Sequence, residues 1–223
     1  MIEILAAAAL AQATDGGLRP DVRLEAFKTV CAHSDRRDYD RAVATVDAAG
    51  WARVADDDHP ELAASLARVR AEAADPDLPM TFDHAAWARE IEGRRLHVVV
   101  SRTSAVLRAE DHDDDGDGII QSWERRDVLT FLGCGVWDFD ATEPVHPGLM
   151  TAWVGAVAVQ TVDEPGVVQG GTWNVHHMMP GTGEVRLGFV PDEGPVQAMT
   201  GFSGVAITMI TAPERPERME SPD

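Results

Sequence analysis

Asp113, Asp115, Asp117 and Glu124 carry carboxylates at the alternate spacing with which a short chain segment surrounds one hard cation. Calcium takes six to eight oxygens at about 2.3 to 2.6 Å, and a wrapping backbone turns every second side chain toward the ion. A register beginning at Asp111 fails, because its closing position is Ser122, which has no bidentate carboxylate to give. A register beginning at Asp113 meets each requirement. Asp113, Asp115 and Asp117 donate side-chain oxygens, Gly118 permits the sharp turn, Ile119 offers its carbonyl, Gln121 fills the ninth position and Glu124 closes the far side. Ile120 is placed to anchor the loop to a core. Crowded carboxylates repel one another until a cation neutralises them, so calcium binding should order this loop. The alternative is a solvated loop in an acidic chain.

From Asp113 to Glu124 the pattern D-x-D-G-D-G-x-I-x-x-x-E resembles the calcium loop of the EF-hand family. The resemblance implies Ca²⁺ as ligand, bound through Asp113, Asp115, Asp117, Ile119, Gln121 and Glu124. It covers only these residues. His112 and Ala109 stand where an entering helix would carry large apolar groups, Val98 to Val100 read as strand, and no second loop follows. The expected arrangement is therefore a calcium-loop insert at 111–126 between two strands, near 95–108 and 127–140, with a short helical turn after Glu124. Such a loop acts as a structural clip, and a Kd on the order of 10⁻⁴ to 10⁻³ M suits an extracellular module.

Other reactive residues form weaker patterns. Trp173-Asn174-Val175-His176-His177-Met178-Met179, read as strand, offers one His and one Met per face, a set that a soft copper ion could use. Gly201-Phe202-Ser203-Gly204 lacks the second glycine of a nucleophile elbow, because Val205 occupies its place. His146 or His176 paired with Asp138 or Asp140 would make an acid/base site only if folding joins them. Trp51, Trp87, Trp137, Trp153 and Trp173 read as core or sheet-face residues.

The elements that must position these residues are visible in the patterning. Pro20 and Asp21 open a helix carrying Leu24, Phe27 and Cys31 on one face. Asp38 caps a second, with Tyr39, Val43 and Val46 inward and Gly50 as its stop. Pro60 begins a third, with Leu62, Leu66 and Val69 aligned. Alternation then takes over. Trp87, Arg89 and Ile91, the turn Glu92-Gly93, and Leu96, Val98 and Val100 define a β-hairpin. Further strands are expected at 127–140, 150–161, 171–178, 184–190 and 203–211. The fold class is α+β: an N-terminal helical segment (21–74) packed on a C-terminal antiparallel β-sheet (84–211), in a single domain spanning 14–212, with a disordered tail at 213–223.

Bulk properties narrow the function. With 38 acidic against 19 basic residues the formal charge is -19, which repels phosphate backbones and excludes nucleic acid as a partner. The run Ile4 to Ala11 followed by Ala11-Gln12-Ala13 fits a signal peptide over 1–13, although Glu3 stands where a basic residue is usual; an ordinary N-terminal helix is the alternative. No other apolar run approaches the ~20 residues of a membrane span. The expected location is periplasmic or secreted, where the only cysteines, Cys31 and Cys134, would form a disulfide; two buried thiols are the alternative. The helical half with Phe27, Cys31 and Gly50-Trp51, followed by Gly133-Cys134-Gly135-Val136-Trp137-Asp138, resembles small exported bacterial proteins of uncharacterised function, and implies no activity. Two functions remain: an exported non-enzymatic domain with one structural calcium loop and an unidentified protein partner, or a periplasmic hydrolase with its site near His176 and His177.

Overall fold

The computed structural model describes residues 18–75, 80–107 and 127–213. The 111–126 insert with its proposed calcium ligands, the 1–13 segment and the tail beyond 213 lie outside the described residues. The fold is α+β, built on one eight-stranded antiparallel sheet in the order β1-β2-β3-β4-β8-β7-β6-β5.

Three helices come first, each begun by the residue its sequence signals. Asp21 caps α1 (Val22–Val30) by accepting the Arg23 backbone N–H, and Asp38 caps α2 (Tyr39–Ala48) by accepting that of Arg41. One turn of 3-10 helix, Ser34–Arg37, lies between them. Helix α3 (Pro60–Ala73) starts on Pro60 after His59. The short strand β1 (Ala52–Arg53) edges the sheet before α3.

The sheet begins with β2 (Met80–Ile91) and β3 (Arg94–Leu107), joined through Glu92 and Gly93, both at positive φ. Next is β4 (Asp127–Asp138), paired with β3 from His97↔Trp137 to Leu107↔Asp127. The apolar stretch expected as strand 150–161 is instead helix α4 (Pro147–Val154) followed by β5 (Gln160–Glu164). The helix wins because His146 caps it, Pro147 opens it, Gly155 closes it in the left-handed conformation, and Met150 and Val154, four apart, are buried together. Beyond lie β6 (Val168–Asn174), β7 (Thr182–Val190), the short helix α5 (Pro195–Thr200) and β8 (Gly204–Thr211). The strand expected over 171–178 ends at Asn174, because Val175 O accepts the N–H groups of Met178 and Met179 and turns the chain.

Successive side chains alternate between faces, so the sheet has two distinct surfaces. One is buried under α1, α2 and α4. Leu24, Phe27, Val46 and Met150 pack there on Trp87, Leu96, Val98, Val136, Leu187 and Ile207. A disulfide between Cys31, at the end of α1, and Cys134 on β4 joins this helical layer to the sheet, with the Cα atoms 5.6 Å apart. Cys134 pairs with Val100 and Met209, placing the bridge near the middle of the sheet. Among the described residues, α3 is the helix that covers the other face, through Leu62 and Leu66 against Ala86 and Phe139.

Candidate functional site

The partly covered face presents a cleft. Hydrogen bonds and a ring stack hold the capped N-terminal end of α3 against the sheet. His59 Nδ1 accepts the Glu61 N–H at 3.2 Å; Glu61 in turn accepts the Ser203 N–H and hydroxyl, both at 2.7 Å. Asp58 accepts from His97 Nε2 at 2.9 Å and from Arg95 at 2.8 Å. His59 stacks on Phe139 with centroids 4.5 Å apart, and Phe139 in turn neighbours Trp137 and Phe202. Farther along the helix, contact with the sheet opens into a groove of about 270 Å³. Leu62, Ser65, Leu66 and Val69 form its helical wall. The sheet contributes Phe82, Val99, Phe131, Trp137 and Ile210, and Phe139 adds its ring just beyond the end of β4. Ser101, Thr103 and Gly133 make the floor.

His97 has the most constrained chemistry in this region. It is 1% exposed, and with Nε2–H donated to Asp58 its Nδ1 has no hydrogen-bond partner among the described residues. Burial holds this imidazole below its ordinary pKa; Asp58 opposes the shift, while His59 and Arg95 reinforce it. Asp58 itself stays below the usual carboxylate range: burial would raise it, but the bonds from Arg95 and His97 outweigh that. An unfolded histidine titrates near pH ~6.5 and folded His97 titrates lower, so its contribution is fully present above ~6.5 and is lost as pH falls through the folded value. His33, also shifted down by burial, acts in the same direction. The urea midpoint is therefore expected to fall between about pH 7 and pH 5. His97→Gln should remove part of that fall, and an unchanged slope in the variant would refute the assignment.

The sequence-predicted candidates are dispersed. His177 Nε2 lies 3.0 Å from Val154 O, His176 is exposed, and Met179 is buried, 3% exposed; with 175–179 in a turn, the face-by-face His and Met pairing does not apply. His146 serves as the α4 cap, accepting the Gly148 N–H. Asp138 is buried between Arg23 and Arg94, and Asp140 is exposed. Ser203 is held by Glu61, and among the described residues no histidine is bonded to it. Among the described residues, no group of three His, Cys, Asp or Glu side chains could hold a metal ion. Trp51, Trp87 and Trp173 are core residues, while Trp137 lines the groove. Sequence reading missed the groove and the Asp58–His97 pair. The available signal was the polar phase of β3, His97, Ser101 and Thr103, which alternates with the apolar phase Leu96, Val98 and Val100.

No helix among the described residues is long and apolar enough to cross a membrane. Compared with protein-family models, curated proteins and solved structures, the chain shows no significant match.

Proposed function

We propose that this is an exported, non-enzymatic α+β domain in which the β3–β4 connection carries one EF-hand-like calcium loop acting as a structural clip. The supporting observation is the register of β3 and β4. They pair without interruption to Leu107↔Asp127, so these two residues, which flank segment 108–126, stand at the spacing of neighbouring strands. A loop closing around one ion needs its ends held together, and a hairpin supplies that as a helix pair does in an EF-hand. Asp113, Asp115, Asp117 and Glu124 supply the carboxylates, with the Ile119 carbonyl and Gln121 completing the set. The Cys31–Cys134 disulfide is compatible with an oxidising location, periplasmic or secreted.

Millimolar calcium is expected to raise the melting temperature. At about ten times Kd, a ligand bound only by the folded state adds about 1.4 kcal/mol, and a chain of this size gains about 2 to 4 °C per kcal/mol. Asp113→Ala combined with Glu124→Ala should abolish the rise. Absence of calcium heat in titration calorimetry, together with an unmoved melting point, would reject the proposal.

A further inference from the structure

The groove beneath α3 carries an inference that does not rest on calcium. Its floor is the β3–β4 strand pair, whose two faces are filled differently. Toward the helical layer Val98, Val100, Cys134 and Val136 are at most 7% exposed and complete the core. On the opposite face the pairs Ser101↔Gly133 and Thr103↔Phe131 put two hydroxyls and a bare Cα where a packed interior would carry branched chains. The Ser101 hydroxyl leans over Gly133, only 2.5 Å from where a Cβ would stand. Protein interiors leave few spaces larger than a water molecule, and an apolar cleft of about 270 Å³ approaches the size of small-ligand sites.

The lining specifies what fits. Among the described residues it contains no Asp, Glu, Lys, Arg or His, although 26% of the chain is charged and the net charge is -19. An ion entering would lose hydration without gaining a countercharge, and an anion would also meet the acidic surroundings. Phe82, Phe131, Trp137 and Phe139 line the groove with aromatic side chains, whose quadrupoles favour an aromatic guest. Ser65, Ser101 and Thr103 line the same space, and each carries a hydroxyl that can serve one polar substituent. We infer that this groove binds a neutral aromatic small molecule bearing a hydrogen-bonding group, of the class of phenols and aromatic amines.

The test uses the full chain with N-phenyl-1-naphthylamine, a neutral aromatic amine whose emission rises in apolar surroundings. One saturable site is expected, weakened at least about tenfold by Ser65→Trp, which plugs the groove from the helix, and unchanged by Thr172→Trp on β6. Independently of any variant, the Trp137 indole N–H resonance should move on titration with phenol while those of buried Trp51 and Trp173 stay. The anionic probe 8-anilinonaphthalene-1-sulfonate should bind at least about tenfold more weakly than the neutral one. Absence of saturable binding, or equal affinity in Ser65→Trp folded as judged by circular dichroism, would overturn the inference. So would equal affinity for the anionic probe, or sedimentation showing a dimer that Ser65→Trp dissociates, which would assign the groove to a second copy of the chain.

Discussion

Reducing the Cys31–Cys134 disulfide is expected to lower the melting temperature by about 10 to 20 °C, the largest effect of any single covalent change in this domain. The bridge spans a sequence separation of 103 residues and joins the end of α1 to β4. In the chain-entropy model, closing a loop of about this length restricts the unfolded chain by roughly 4 to 5 kcal/mol. The folded state keeps its contacts when the bond is cut: Phe27 and Val30 remain buried, and Cys134 lies in the core against α1. The loss therefore falls mainly on the unfolded reference. Calorimetry of oxidised protein, reduced protein and the Cys31→Ser/Cys134→Ser variant should give one high and two matching low transitions. A reduced protein melting within about 2 °C of the oxidised form would show that the unfolded chain is already restricted by other means.

Arg23→Met is expected to cost about 3 to 5 kcal/mol in urea unfolding, because it strands a buried carboxylate. The Arg23 side chain is 3% exposed and that of Asp138 2%. Arg23 bonds Asp21 at 2.6 Å and the Glu143 carbonyl at 2.9 Å, and reaches to 3.7 Å from Asp138. Burial pushes the Asp138 carboxyl above its usual range, with Arg23 and Arg94 pulling it back. Asp138→Asn should cost less than Arg23→Met, since the environment already favours an uncharged group there. The double variant should then be more stable than the two separate losses predict, by about 1 kcal/mol or more. Strict additivity, or a loss under about 1 kcal/mol for Arg23→Met, would show that Arg94 alone compensates Asp138.

Much of the local architecture was legible because its causes are local. Asp21, Asp38 and Pro60 mark helix starts in the sequence and act as such in the structure. The alternation of Trp87, Arg89 and Ile91 against Leu96, Val98 and Val100 gave the β2–β3 hairpin, and Glu92-Gly93 gave its turn. The segment around Met150 misled because a short apolar run satisfies a buried strand and a buried helix equally well. Its true signals, Pro147 and Gly155, sit at its ends. The candidate site was less legible. His97, Ser101 and Thr103 look like the solvated phase of a strand, and only α3 crossing that face makes a groove of it.

The sequence by itself determined the α+β class, the helix caps, the hairpin and the acidic spacing from Asp113 to Glu124, since each depends on residues within a few positions of one another. The Cys31–Cys134 bond, expected from the only two cysteines, is present. Tertiary structure decided that β8 lies beside β4 and that Asp58 finds His97 beside the α3 groove. Those pairings join residues tens of positions apart, and their free energy comes from burying whole surfaces together, which no local pattern encodes.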